Sequence, residues 1–289
     1  MRAFALFAFP ERPHAVAGVV RAATRLLSED ADVLITEALA SVLPDETATR
    51  CEVMPASEFE RSADMVISFG GDGTLLAVAR LLIGTDTPIM GVNVGNLGFL
   101  AEFPVSDLDE ALSDVLRGAY RIVDRTTLYT EVNGTPVHAL NEFVVEKSTQ
   151  ARMIAIRAYV NEHHVADYRA DGILVTTPTG STAYSLAAGG PIIAPSSRVI
   201  GLTPISPHTL TLRPLIVQDS SEIRLELPFA GTEASLVADG QIVAALSAGD
   251  SVVIRSGEHM VKLIKRANST YYDLLREKLL WSVDATRKT

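Results

Sequence analysis

Apolar positions change their spacing near Gly118 and change back near Tyr271. Up to Gly118 short apolar runs alternate with segments of helical period. The run from Met1 to Phe9 meets Pro10-Glu11-Arg12 with no convincing cleavage site, so it reads as a first buried strand rather than a leader. Val16, Val19, Val20, Ala23, Leu26 and Leu27 then recur at helical spacing between His14 and Ser28. A second helix is expected with Ile35, Ala38, Leu39 and Val42 on one face, ending at Pro44. A short strand around Cys51–Met54 and a buried strand from Asp64 to Phe69 follow. Thr74 is placed to cap a helix beginning at Leu75. Pro88–Val94 reads as another strand, and Ser106 with Asp109 three residues on resembles a capping box. Strands alternating with helices predict a parallel sheet covered on both sides.

Beyond Gly118 the period falls to two. Leu128–Val132, Val137–Val145, Met153–Val160, Ile173–Thr176, Glu222–Leu227 and Val252–Ile254 read as strands, with Asn133-Gly134 a two-residue hairpin turn. A short helix is expected around Tyr184–Ala188, and His163-His164 falls in an expected Asn-Glu-His-His turn. Tyr271–Trp281 returns to helical spacing. The fold class is α/β: a Rossmann-like α/β domain over residues 1–119 with about 267–289, and an all-β, sandwich-type domain over 120–266.

Composition narrows the function. The net charge of −10 disfavours a sequence-independent nucleic-acid binder, which needs a basic surface. No apolar run reaches the ~18 residues that span a bilayer, so a cytoplasmic protein without a membrane partner is expected. The single cysteine, Cys51, excludes an internal disulfide framework and a cysteine-rich zinc site. The six histidines show no metal-ligand spacing, and His208 has no partner identifiable from sequence.

Four stretches carry chemistry. Gly70-Gly71-Asp72-Gly73-Thr74 stands where a strand hands over to a helix. Unpaired N–H groups and a partial positive charge collect there, and glycine lets backbone approach a phosphate. Asp72 is the only side chain in that loop able to serve a hydroxyl or a metal. The same residues also make an ordinary turn. Asn141-Glu142 interrupts an apolar strand with a polar pair. Arg169-Ala170-Asp171-Gly172 leads into Thr176-Thr177-Pro178-Thr179-Gly180-Ser181-Thr182-Ala183-Tyr184. That loop offers hydroxyls, N–H groups and an aromatic wall to a ribose, phosphate or base. Asp239-Gly240-Gln241 suits a hairpin turn as well as a ligand.

These stretches, with Gly91–Leu100, Pro204–Leu210 and Arg213-Pro214, together resemble the NAD kinase family in order over roughly residues 64–241. The resemblance implies phosphorylation of the adenosine ribose 2′-hydroxyl of NAD, with ATP or polyphosphate as donor. It implies Asp72 as the proton acceptor and Gly70, Gly71 and Gly73 as the phosphate cradle. Phe99 would lie near the adenine, and Asn141 and Glu142 at the adenosine portion. Asp171, Thr182, Ala183, Tyr184, Ser185, Leu186 and Ala187 match the family's dinucleotide-contacting region, with alanine at 187 where many relatives have serine. Arg152 and Arg169 fall where relatives have basic or polar groups around the ligand, and Gln241 falls in the matching Asp-Gly-Gln. A homodimer or homotetramer is implied. Neither lysine nor arginine lies in the glycine loop, so a divalent ion, Mg²⁺ by expectation, would travel with the donor. The competing readings are a lipid or sugar kinase of the same superfamily and a dinucleotide sensor without turnover.

Overall fold

The computed structural model describes residues 2–95, 98–148 and 153–281. The chain forms two units, Met1–Asp124 with Val261–Thr289, and Arg125–Met260.

The first unit begins with β1 (Ala3–Phe7) and α1 (Pro13–Leu27), then β2 (Asp32–Ile35), α2 (Glu37–Ala40), α3 (Asp45–Ala48), β3 (Glu52–Val53) and α4 (Phe59–Ser62). It continues with β4 (Met65–Gly70), α5 (Asp72–Leu82), β5 (Ile89–Asn93), β6 (Phe103–Pro104) and α6 (Leu108–Arg117). The sheet runs β3-β2-β1-β4-β5, every pair parallel. β4 is buried along its whole length, which is why its sequence is a continuous apolar run rather than an alternation. One face of α1 (Ala15, Val19, Ala22, Ala23, Leu26) and one face of α6 (Leu108, Ala111, Leu112, Val115) join the same core as Phe4, Leu6, Ile67, Phe69 and Val92. Each large side chain sealed there contributes about 1.5–3 kcal/mol. Strand order reverses between β1 and β4, and ligands of open parallel sheets bind beyond the strand carboxyl ends at such a point.

The second unit takes the chain from within β7 (Tyr120–Val132) through β8 (Thr135–Ala139), β9 (Glu142–Lys147), β10 (Ile154–Val160), β11 (His163–Ala170) and β12 (Gly172–Thr176). After the short helix α7 (Tyr184–Ala187) come β13 (Val199–Ile205), β14 (Leu215–Gln218), β15 (Ile223–Glu226), β16 (Glu233–Ala238), β17 (Gln241–Ser247) and β18 (Ser251–Arg266). One antiparallel sheet has the order β14-β13-β12-β9-β16-β17, and another contains β11-β10-β15-β18. Phe143, Val145, Val175 and Leu236 from the first share a core with Ile156, Tyr168, Leu225 and Ile254 from the second. Two sheets over one core form a sandwich. In the first unit, Leu263 of β18 pairs in parallel with Ile89. Helix α8 (Tyr271–Lys278) also belongs there, opened by a capping box between Thr270 and Asp273.

Several local expectations are corrected. Ile35 ends a parallel strand, and the helix expected through Val42 is reduced to the single turn α2. Pairing of Ile35 with Leu6 of β1 takes the first of these apolar positions into the sheet, and the helix begins only after Thr36 caps it. Thr74 is no cap: α5 starts at Asp72, with extended Gly71 as its N-cap, and Thr74 lies buried inside its first turn. Ser106 bonds Asp107 instead of forming a capping box with Asp109, and a 3₁₀ turn precedes α6. The expected strand Val137–Val145 is broken at Leu140-Asn141. Asn161 and Glu162 (φ 49° and 66°) make the turn that had been expected to include His163 and His164, which are in β11. Asn133 and Gly134 (φ 51° and 75°) form the expected hairpin turn.

Candidate active site

In the first unit the site is built on the ends of β4 and β5. A Cβ on Gly70 would lie 2.0 Å from Thr74 Oγ1, so this position admits only glycine. Asp72, the first residue of α5, turns its carboxylate away from the sheet and onto a second loop. Oδ2 accepts the Phe99 N–H (2.9 Å), and Oδ1 accepts the N–H groups of Leu100 and Ala101 (both 3.0 Å). One carboxylate thus satisfies three consecutive backbone donors of a loop that forms no ladder at that point. Gly98 makes the grip feasible, since a Cβ there would lie 1.9 Å from Oδ1. The same loop is held from its other side by Lys265, a buried cation that bonds the Leu100 carbonyl (3.3 Å) and the Glu102 carboxylate. The half-buried Phe99 ring has the Lys278 ammonium 5.6 Å from its centroid. Beside Gly71 an open cleft of about 460 Å³ is lined by Glu11, Arg12, His14, Asn93, Val94 and Gly95. It lies at the carboxyl ends of β4 and β5 and at the start of α1, where backbone N–H groups favour an anion.

The second unit repeats the clamp. Asp239, at φ 45° in a β16–β17 hairpin turn completed by Gly240 (φ 79°), accepts the backbone N–H groups of Leu140 (2.8 Å), Asn141 (2.7 Å) and Glu142 (3.2 Å). It therefore fixes the Asn141-Glu142 pair. The Asn141 carbonyl is bonded in turn by the Thr177 N–H and the Thr176 hydroxyl, and the Leu140 carbonyl by the Thr177 hydroxyl. Most hydroxyls of the threonine-rich loop are used to hold its own shape. Ser181 bonds Pro178 O, and Ser185, fully buried, bonds Thr203. Two buried polar atoms here are left without partners, Glu142 Oε2 and Thr179 Oγ1. An unpartnered buried polar atom is costly, and both of these atoms can still take a hydrogen bond from a water or a ligand. Burial, and then the nearby Asp239 charge, push the Glu142 carboxyl up to about 8.

Two family models match the chain: the ATP-NAD kinase N-terminal domain over residues 10–120 and the ATP-NAD kinase C-terminal domain over residues 140–266. The NAD kinase of Prosthecochloris aestuarii is 43% identical over 232 residues, 79% of this chain and 81% of the relative. That of Citrifermentans bemidjiense is 38% identical over 287 residues, 97% of this chain and 99% of the relative. The chain belongs to the NAD kinase family. Among solved structures, an NAD kinase from Archaeoglobus fulgidus in complex with ATP has a TM-score of 0.76 at 25% identity, covering 97% of this chain and 99% of that one. Yeast NADH kinase complexed with NADH shares the fold, with a TM-score of 0.86 at 24% identity over 100% of this chain and 90% of that one.

The residues expected to serve an NAD kinase site fall into two groups, one in each unit. Gly70, Gly71, Asp72, Gly73 and Phe99 gather in the first. In the second, Asn141 and Glu142 abut the threonine-rich loop. Tyr184 stands 42% exposed beside them, its phenol raised by burial and by the charges of Glu146, Asp171 and Glu142. Thr182, Ala183 and Leu186 are half-buried, and Ala187 is exposed. Asp171 is paired with Lys147 at 2.7 Å. Arg169 and Gln241 are exposed on β11 and β17. The carbonyl of Arg169 accepts the His208 N–H, which gives His208 a structural place. Arg152 lies outside the described residues. Sequence reasoning named Thr179 only as part of the hydroxyl-rich loop, and missed Lys265 and the clamping role of Asp239, whose one local signal is its Asp-Gly turn.

Among the described residues no group of three or more His, Cys, Asp or Glu could hold a metal ion, and Asp72 spends both carboxylate oxygens on backbone. No helix among them is long and apolar enough to cross a membrane.

Proposed function

We infer that this chain acts as an NAD kinase, transferring a phosphoryl group from ATP to NAD to give NADP, and we propose that Asp72 takes the proton of the adenosine ribose 2′-hydroxyl. The observation carrying the role of Asp72 is its lone-pair inventory. A carboxylate offers about four acceptor positions. Oδ1 accepts two N–H groups and Oδ2 one, so one position on Oδ2 stays open beside the glycine loop. The three N–H groups fix the direction in which that lone pair points, which orients a hydroxyl as much as it deprotonates it. As the 2′-oxygen attacks the γ-phosphorus, the bond to the β,γ-bridging oxygen breaks and the hydroxyl proton passes to Oδ2.

The open cleft at Gly71, with Arg12 and the starts of α1 and α5, supports placing the donor's phosphates there. A divalent ion carried by the triphosphate would offset charge that the glycine loop itself cannot. The unpartnered Glu142 Oε2 and Thr179 Oγ1, with Asn141 and Tyr184, support placing the adenosine end of NAD against the second unit's loop.

Asp72→Asn is the test. NADP formation measured with an NADP-specific dehydrogenase is expected to fall by about 10²–10⁴-fold. The Kd for NAD should stay within about threefold, a change of under 1 kcal/mol. Turnover within a few-fold of wild type would remove Asp72 from the role. Binding of NAD without turnover in the wild-type protein would favour a sensor instead.

A further inference from the structure

The loop gripped by Asp72 has a second anchor, supplied by the last part of the chain. Lys265, near the end of β18, is 4% exposed, and its ammonium bonds the Leu100 carbonyl (3.3 Å) and the mostly buried Glu102 carboxylate. Two more cations of the same stretch reach residues on either side. Lys278 stands 5.6 Å from the Phe99 ring centroid, and Arg266 pairs with Asp107 at 2.7 Å. What sets Lys265 apart is the peptide it touches. The Leu100 carbonyl and the Ala101 N–H belong to one planar peptide group, and that N–H donates to Asp72 Oδ1 at 3.0 Å. A single peptide therefore joins cation to carboxylate, with the ammonium on its oxygen and the carboxylate on its N–H. Both hydrogen bonds are charge-assisted, and each polarises the peptide in the sense that strengthens the other. Leu100 and Ala101 are themselves buried, so water screens the arrangement little.

We propose that Lys265 is a positioning residue for phosphoryl transfer: by fixing the Leu100–Ala101 peptide, it fixes the direction in which Asp72 Oδ2 meets the ribose hydroxyl. A carboxylate bonded to a loop moves with the loop, so its aim is only as firm as the loop's other anchor. Glu102 keeps the ammonium there by offsetting the cost of burying it. This rests on the reading of the chain as an NAD kinase with Asp72 as proton acceptor.

Lys265→Met alone strands a buried carboxylate and can unfold the chain, so the variant to measure is Lys265→Met/Glu102→Leu, which removes both charges together. Its kcat for NADP formation should fall by about tenfold or more, with the KM values for NAD and ATP within about threefold of wild type. Added to Asp72→Asn, the same pair of substitutions should lower kcat no more than about threefold further, because it acts through a group already removed. A kcat within about threefold of wild type, or the full additional loss in the Asp72→Asn background, overturns the proposal. Amide exchange in the ligand-free proteins gives a readout that needs no turnover. In the double variant the N–H groups of Phe99, Leu100 and Ala101 should exchange about tenfold faster or more, while those of β4 and β5 keep their wild-type protection. Unchanged protection at the three means that Asp72 holds the loop alone, and uniform loss across the unit makes Lys265 a stability residue; either overturns the proposal. Absence of NADP formation by wild type would instead sink the kinase reading, and full turnover in Asp72→Asn the role of Asp72. In both cases the exchange data still decide whether Lys265 fixes the loop.

Discussion

Asp72 and Asp239 do the same physical work in different units, each collecting three consecutive N–H groups from a loop that would otherwise leave them unsatisfied. The groups they organise differ: Asp72 holds the Phe99–Ala101 loop beside the glycines, whereas Asp239 holds the Asn141-Glu142 pair, where burial and then the Asp239 charge make Glu142 reluctant to ionise. That reluctance has a measurable stability consequence. The native Glu142 keeps its proton up to about pH 8, while the unfolded chain releases it near the ordinary value of 4.5. Between those values the native state binds more protons, so this residue's contribution to stability is full below the lower value and is lost as pH rises through the window. Glu142→Gln removes the ionisation. Its urea midpoint relative to wild type should therefore climb from about pH 5 to about pH 8, a span over which each unit of differential titration is worth about 1.4 kcal/mol. A constant difference between the two proteins across that range would mean that Glu142 ionises as freely when folded as when unfolded.

At the level of elements, the glycines separate into two kinds. Gly98 is required by a close approach within the protein, to the Asp72 carboxylate. Gly98→Ala should break the clamp and cost about 1–3 kcal/mol of stability as N–H groups lose their acceptor. Gly71 and Gly73 meet nothing within 4 Å, and neither has a positive φ. Alanine at either should leave the thermal midpoint nearly unchanged, within about 0.5 kcal/mol at Gly71 and up to about 1 kcal/mol more stable in the helix at Gly73. If both form a phosphate cradle, turnover should nevertheless fall by tenfold or more in an NADP assay, about 1.4 kcal/mol of transition-state binding. Full turnover in both alanine variants would leave Gly71 and Gly73 as turn residues alone. The same contrast explains what was legible in the sequence. The strand–glycine–helix junction at Gly70–Thr74 and the period change after Gly118 are local patterns, so the two-part fold and the loop could be read directly. Thr74 was misassigned as a cap because an extended Gly71 takes that position, and nothing in the residue order says so. Ile35 shares the helical spacing of the residues after it, but parallel pairing with Leu6 of β1 takes it into the sheet. Lys265 lies 165 positions along the chain from Leu100, whose carbonyl it holds, a pairing that only the folded chain reveals.

At the scale of the whole molecule the outstanding problem is charge. The chain carries −10 and works on a triphosphate and a dinucleotide, all anionic. Arg12 lines the cleft beside Gly71, but so does Glu11, whose carboxylate opposes it. One guanidinium and the ends of two helices do not balance a triphosphate, while the described residues offer no metal-binding cluster. The divalent ion should therefore arrive and leave with the donor rather than reside on the protein. Dialysis should yield protein free of stoichiometric metal. Excess EDTA should drop NADP formation to background, and Mg²⁺ should restore it with a half-saturating concentration that rises with the ATP supplied. The Kd for NAD should be the same with and without chelator, within about threefold or under 1 kcal/mol, because the loop proposed to hold it in the second unit offers hydrogen bonds and an aromatic face rather than a cation site. Metal that stays bound in stoichiometric amount through dialysis, or NAD affinity that collapses with EDTA, would place a cation site on the chain itself and require ligands other than the carboxylates described.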